Sequence, residues 1–154
     1  MPAFHSERRV RHAAADMFAL VADVERYPEF VPLCRALKVR RREPDGDGNE
    51  TLIADMEVGY RAIRETFTSR VALDRPRLKI RVDYVDGPFS RMENLWNFRD
   101  AVETGASTVE FYINYEFRNR LLAALMGAMF DAAFRKFSAA FEARADKVYG
   151  RARG

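Results

Sequence analysis

Cysteine and histidine are scarce in this chain of 154 residues, which contains Cys34 as its one cysteine and His5 and His12 as its two histidines. One cysteine excludes an intrachain disulfide, and so few sulfur and imidazole ligands disfavour a metal site. Glycine-rich phosphate loops and catalytic-triad motifs do not stand out either. We therefore expect a non-enzymatic protein with no catalytic residues, no metal and no covalent cofactor.

Long apolar runs are also missing. No stretch approaches the ~20 consecutive apolar residues that cross a membrane, and residues 1–12 contain no apolar run of the kind that signal peptides have. The formal net charge of +3 is only mildly basic and gives a weak attraction to anionic partners. We expect a cytoplasmic protein that is able to touch the inner membrane peripherally, and we expect no DNA partner.

Apolar and aromatic residues are abundant. Hydrophobic residues make up 48% of the chain, with 12 Phe and 6 Tyr, which excludes general disorder. The length suits one hydrophobic core. We predict a single domain over residues 1–150, followed by a frayed tail at 151–154.

Alternation of apolar and polar residues dominates the middle of the chain and is typical of strands with one buried face. Turn-forming residues separate the alternating segments, for example at 44–49 and 86–89. Because one face of each segment is polar, we predict an antiparallel meander with one solvated side. The predicted strands cover residues 4–10, 37–43, 51–60, 62–73, 78–84, 91–99 and 108–117.

Helical spacing appears at two places. A short helix is predicted at residues 13–24, where Phe18 and Val21 recur at helical intervals. A long helix is predicted over Arg120–Tyr149, with Gly150 as its stop, because apolar residues recur every three or four positions. At 1.5 Å per residue this helix is ~45 Å long, enough to cross the whole sheet.

Residues 25–35, with the sequence ERYPEFVPLCR, are both stiff and apolar. Pro28 and Pro32 each remove a backbone donor and restrict the residue before them. Tyr27, Phe30 and Val31 are too apolar for an ordinary solvated loop. The segment is therefore predicted either to cover a filled core, to form the mouth of a cavity, or to touch lipid.

Three motifs together resemble one family. ERYPEFVPLCR at 25–35, VDGPF at 85–89 and RADKVYG at 144–150 are similar to the coenzyme-Q-binding branch of the START-like (polyketide cyclase) superfamily, which includes bacterial ribosome-association toxin A-type proteins. The resemblance implies an α+β helix-grip fold: a curved antiparallel sheet of about seven strands wrapped on the long C-terminal helix, with two short helices after strand 1. It also implies a hydrophobic cavity between helix and sheet. Many members of the branch have Trp where this chain has Leu33, so the mouth is less bulky here.

The candidate site residues fall into four groups. Apolar side chains of the proline segment, the inner strand faces and the start of the long helix are expected to line the cavity and its mouth, with prolines fixing the loop geometry and a few polar groups orienting the ligand. A basic face of the second strand is expected to meet an anionic surface. The cavity and mouth set is Tyr27, Phe30, Val31, Leu33, Phe67, Tyr84, Phe89, Trp96, Phe98, Met126, Met129 and Phe130; the prolines are Pro28 and Pro32; the polar set is Glu65, Asn94 and Tyr115; and the basic set is Lys38, Arg40 and Arg42.

Three functions remain open. The resemblance implies non-enzymatic binding of a polyprenyl quinone, ubiquinone, by a lipid carrier or chaperone that supports respiration or quinone biosynthesis. The first alternative is a ribosome-associated, toxin-like factor that blocks subunit association and uses the basic strand face. The second is a polyketide cyclase-like enzyme with Glu65 as its acid.

Overall fold

The computed structural model describes residues 3–60 and 62–150, which form an α+β fold as predicted. The strands are longer than predicted at most ends, because pairing continues beyond the apolar alternation into polar residues. The elements in chain order are β1 Ala3–Val10, α1 Ala14–Ala22, a 3-10 helix Val24–Glu29, β2 Cys34–Pro44, β3 Asn49–Tyr60, β4 Ile63–Asp74, β5 Lys79–Asp86, β6 Phe89–Asp100, β7 Ser107–Phe117 and α2 Arg120–Tyr149.

The seven strands form one antiparallel sheet in the order β1-β7-β6-β5-β4-β3-β2. Strands β2 to β7 follow one another as the predicted meander, and β1 adds to the β7 edge. The predicted helix-grip arrangement is confirmed. Its inner face contains residues such as Trp96 and its register partner Phe111, which are both buried.

Helix α2 has the bounds that the periodicity predicts. The side chain of Asn119 caps its start by accepting a hydrogen bond from Leu122 N at 2.9 Å. At its end, Gly150 has a φ of 82°, and its N–H donates to Asp146 O at 3.0 Å. A residue with a side chain rarely adopts that φ, so glycine ends the helix here.

The proline segment contains the second of the two short helices that the resemblance implies. The helix predicted at 13–24 ends at Ala22, and a separate 3-10 helix, Val24–Glu29, follows with Pro28 inside it. The fixed φ of proline is compatible with helical geometry, and a 3-10 helix is commonly this short. The chain then turns at Pro32 and enters β2 at Cys34.

The core lies between α2 and the inner face of the sheet. Phe141 of α2 packs edge-on against Trp96, with ring centroids 5.1 Å apart. Phe134 packs in a tilted orientation against Phe111, with ring centroids 6.2 Å apart. Burial of such aromatic side chains supplies most of the favourable energy of this layer packing. Within the described parts of the chain, no helix has both the length and the hydropathy needed to span a bilayer.

A candidate ligand cavity between the sheet and the long helix

The packing of α2 on the sheet leaves an internal cavity of about 110 Å³. Its wall is almost entirely apolar. Small residues account for the space: Ala54 and Ser69 are register partners on β3 and β4, and Ala133 lies on α2. The lining residues are Val24, Tyr27, Val31, Pro32, Leu33, Leu37, Ala54, Met56, Val58, Phe67, Ser69, Val71, Ile80, Val82, Phe89, Met92, Asn94, Trp96, Ile113, Phe130, Ala133, Phe134, Phe137 and Phe141.

A second concavity of about 570 Å³ lies on the outside of α2, between that helix and the β3–β4 turn. We call it the outer groove. Pro32, Leu33 and Ala133 line both the cavity and the outer groove. These three residues lie where the cavity and the surface groove adjoin, and we call them the mouth. The other residues of the outer groove are Tyr60, Ile63, Leu125, Ala128, Met129, Ala132 and Lys136.

The backbone at the mouth is strained. Leu33 has a φ of 68°, a left-handed conformation that costs a residue with a side chain ~1–3 kcal/mol. Its carbonyl accepts a hydrogen bond from Gly59 N at 2.9 Å, which joins the turn to β3. The strain turns the chain sharply between Pro32 and β2, so that Leu33 lies at the boundary of cavity and groove.

Aromatic packing holds the 3-10 helix and the adjacent Phe30 against α2. Tyr27 and Phe30 both pack edge-on against Phe141 of α2, with ring centroids 5.4 and 5.1 Å apart. The hydroxyl of Tyr27 donates to Val21 O, and burial raises the pKa of this phenol. Arg144 stacks over Phe30 at 5.0 Å and bonds to Glu29 at 2.6 Å. The segment is thus fixed against α2.

Comparison with known proteins identifies the family. The model of the family described as polyketide cyclase / dehydrase and lipid transport matches residues 10–142. The chain belongs to this family. It is 31% identical over 149 residues to the ribosome association toxin RatA of Escherichia coli K12, covering 97% of this chain and 90% of that protein. It is 30% identical over 138 residues to the mitochondrial coenzyme Q-binding protein COQ10 homolog B of Xenopus laevis, covering 88% of this chain and 54% of that protein.

Solved structures agree with the fold. An 18 kDa protein from Caulobacter crescentus is 35% identical, with a TM-score of 0.78, and the match covers 97% of this chain and 99% of that one. A START superfamily protein from Mycobacterium smegmatis has the same TM-score of 0.78 at 15% identity, covering 95% of this chain and 98% of that one, and this likeness shows the fold alone. The resemblance found in the sequence is confirmed.

Most of the predicted apolar site residues meet at the cavity of this family member. Residues from the proline segment, strands β4 and β6, and α2 converge there, although they are far apart in the sequence. The predicted residues that line the cavity are Tyr27, Val31, Pro32, Leu33, Phe67, Phe89, Asn94, Trp96 and Phe130. Their role in binding a ligand stays a prediction.

Other predicted lining residues lie elsewhere. Phe98 stacks flat on Trp96 with ring centroids 6.0 Å apart, so it lies behind the cavity wall. Met126 is fully buried in the filled part of the core. Met129 is on the outer groove, one turn of α2 before Ala133. Phe30 packs between Phe141 and Arg144, outside the cavity wall. Strand and helix periodicity assigns these side chains to a face but not to a position along it.

The predicted polar residues do not all lie at the cavity. Asn94 lines the cavity, whereas Tyr115 packs among aromatic rings, 5.4 Å from Phe134. Tyr84 is near the cavity through Phe89, whose N–H donates to the Tyr84 hydroxyl at 3.1 Å. Glu65 is half-buried opposite Val58 and is not part of the cavity wall. Its position gives no support to the role of an acid inside the cavity.

The predicted basic face of β2 is largely compensated. Arg40 bonds to Asp55 at 2.5 Å, and hydrogen bonds from Thr68 and Arg40 help to lower the pKa of that carboxyl against the effect of its desolvation. Arg42 pairs with Glu25 and with Glu50. Lys38 is exposed. The surface that β2 offers to an anionic partner is therefore less positive than its sequence alone indicates.

Two further candidate sites, a nucleophilic Cys34 and a metal site at His5, have little chemical support. Burial raises the pKa of the Cys34 thiol to about 11, so the thiolate that a nucleophile requires is scarce at neutral pH. His5, Glu7 and Glu110 place one ligand atom each within 4.8 Å of one another on the outer face of the sheet. Arg99 already pairs with both carboxylates, at 3.5 and 3.1 Å, and a cation would have to displace it.

Sequence reasoning missed Ala133 as a site residue, and it identified Ser69 only as one of several polar groups on the inner strand faces. Ser69 belongs to the inner face of β4 by the same alternation that identified Phe67, so its strand position was predictable. Nothing in the sequence placed Ala133 opposite Leu33, because alanine gives no signal beyond helix propensity. Its small size leaves space at the mouth.

Proposed function

We propose that this protein binds a polyprenyl quinone, ubiquinone, in the apolar cavity and acts as its carrier or chaperone in respiration or quinone synthesis. The supporting observation is an internal apolar cavity that shares Pro32, Leu33 and Ala133 with a surface groove. The relative from Xenopus laevis is named a coenzyme Q-binding protein, which supports the same ligand class.

The size of the cavity defines what it holds. An engineered protein cavity of ~150 Å³ binds benzene, so the present cavity of about 110 Å³ must widen before a substituted ring enters. Typical pockets for drug-sized ligands measure ~300–1,000 Å³, well above this value. The cavity therefore has room for no more than the quinone ring once it has widened. The polyprenyl chain continues through the mouth into the outer groove or into lipid.

Trp96 provides a direct test, because it is the one tryptophan of the chain and lines the cavity. Quinones quench indole fluorescence at short range, so titration of short-chain ubiquinone should quench Trp96 in a saturable way at one ligand per protein. Mass spectrometry of lipid extracted from the purified protein should detect quinone. The proposal fails if purified protein contains no quinone and quenching does not saturate.

We also propose that the groove side of the molecule docks on an anionic membrane surface. Apolar side chains lie exposed at or next to the outer groove: Leu121 at 68%, Leu125 at 51% and Tyr60 at 46%. Exposed cations flank them, since Arg120 begins α2 and Lys136 lines the groove. Apolar side chains that insert and cations that meet phosphate are the usual elements of peripheral binding.

The double substitution Leu121→Glu/Leu125→Glu is expected to reduce co-flotation with phosphatidylglycerol-containing vesicles by at least about tenfold, because two apolar insertions are lost and two like charges are added. Both side chains are exposed, so the fold should be kept. Val85→Glu/Val102→Glu makes the same change at exposed positions, 48% and 107%, that are not part of the groove and should leave flotation unchanged. Equal flotation of both variants would contradict this docking surface.

The second candidate is a ribosome-associated factor. Relatives at 31% and 33% identity bear the name ribosome association toxin, which favours it, while the paired Arg40 and Arg42 reduce the charge available for RNA. Sedimentation of the protein with large ribosomal subunits at moderate salt tests it. Co-migration that survives quinone loading would support this function, and its absence would count against it.

A further inference from the structure

Nearly every polar group in the cavity wall already has a partner. The indole N–H of Trp96 donates to Asn94 Oδ1 at 3.0 Å. The Asn94 amide in turn donates to Tyr112 O at 2.8 Å, and the Tyr27 hydroxyl donates to Val21 O. These bonds hold the wall together, and they commit the indole N–H of Trp96 and the hydroxyl proton of Tyr27 to partners within the protein.

Ser69 is the exception. Its side chain lines the cavity and the residue is only 6% exposed. Across residues 3–60 and 62–150, no side chain or backbone group makes a hydrogen bond with its hydroxyl. The protein therefore leaves the donor of this hydroxyl unused, and an acceptor that enters the cavity satisfies it. Its register partners are Ala54, which has no polar side chain, and Tyr84, whose hydroxyl accepts from Phe89 N.

The position of Ser69 also gives a direction to the site. Ser69 lines the cavity but not the outer groove, whereas Leu33 and Ala133 line both. The uncommitted donor is thus inside, and the route to the surface is apolar. A ligand that is polar at one end and apolar along its chain matches this arrangement in one orientation only.

We propose that the Ser69 hydroxyl anchors the ligand by donating a hydrogen bond to a carbonyl or ether oxygen of its ring, with the apolar chain leaving through the mouth. This inference rests on the proposed function and adds to it the residue, the ligand atom type and the orientation. The cavity accordingly selects lipids with an acceptor-bearing ring over plain hydrocarbons, because only the former satisfy the buried hydroxyl.

Ser69→Ala is expected to weaken the binding of decylubiquinone by about three- to tenfold, the effect of losing one neutral hydrogen bond. The affinity for decylbenzene, which has the same chain and no acceptor, should change by less than about twofold. Quenching of Trp96 reports the quinone, and recovery of that fluorescence on competition reports the hydrocarbon. Ser69→Thr retains the hydroxyl and should restore part of the preference for the quinone.

Ser107→Ala is the matched control. Ser107 is a fully buried serine whose hydroxyl has no partner among the described residues, and it is not part of the cavity wall. Its substitution should leave both affinities unchanged. Equal losses for both ligands in Ser69→Ala, or an unchanged affinity for decylubiquinone, overturn the anchor while the proposed function stands. Lack of saturable quenching in the unsubstituted protein overturns the proposed function and the anchor with it.

Discussion

Ala133→Phe is expected to abolish quinone binding while the protein remains folded. Ala133 is buried at the mouth and lines both the cavity and the outer groove. A phenyl group at this position fills most of the cavity of about 110 Å³ and closes the route between Leu33 and α2. Saturable quenching of Trp96 should fall by more than about tenfold, because ligand and ring would occupy the same volume.

The stability of this variant should change little, since added side-chain volume enters empty space; overpacking elsewhere costs ~1–3 kcal/mol. Thermal unfolding followed by circular dichroism measures that change.

Ala139→Phe makes the same substitution at an exposed position of α2 and should bind quinone normally. Full quinone binding by folded Ala133→Phe would show that the ligand does not use this cavity. Ala133→Leu, a smaller addition, is the second variant if the first does not fold.

Gly87→Ala is expected to cause the largest loss of stability of any glycine substitution considered. Gly87 has a φ of 145°, and a Cβ there would lie 2.5 Å from Phe67 Cβ and 2.9 Å from Phe67 Cα. Nearby atoms cannot move aside easily, because Arg118 Nη1 donates to Gly87 O at 3.1 Å and Arg118 N donates to Pro88 O at 2.8 Å. We expect a loss of more than about 3 kcal/mol, roughly 10 °C in Tm for a chain of this size.

Gly105→Ala is the control, because it has the unfavourable backbone conformation without the steric clash. Gly105 has a φ of 82°, but a Cβ there meets nothing within 4 Å. Its substitution should cost only the ~1–2 kcal/mol of a left-handed residue. Because Phe67 lines the cavity, Gly87→Ala should also weaken quinone binding, whereas Gly105→Ala should not. Similar unfolding midpoints for both variants would contradict the close approach of Gly87 to Phe67.

Local periodicity explains why much of the fold was predictable. The spacing of Phe130, Phe134 and Phe141 predicts one long helix, and α2 has those bounds. The alternation in β3, β4 and β7 likewise predicts strands with one buried face. Each of these patterns depends on residues a few positions apart. Local periodicity did not delimit the 3-10 helix at Val24–Glu29, because its Pro28 indicates only restricted geometry, and the second short helix was implied only by the family resemblance.

The candidate site was predictable only in part. Phe67, Phe98 and Trp96 have the same alternating pattern, yet Phe98 packs behind the cavity wall and the other two line it. The net charge of the basic face of β2 was likewise not predictable from its sequence. Asp55 and Glu25, which belong to other elements, form ion pairs with Arg40 and Arg42. Alternation identifies the face of a strand, and contacts between distant elements decide what that face does.

Residues 25–35 show the division between sequence and structure. Their prolines and aromatics by themselves determined a stiff apolar segment that could not be an ordinary loop. Tertiary structure decided that Leu33 and Ala133 line both the cavity and the outer groove, and that the Ser69 hydroxyl has no partner among the described residues. An empty volume and an unpaired hydroxyl are properties of side chains that meet from separate elements, so no local pattern in the sequence encodes them.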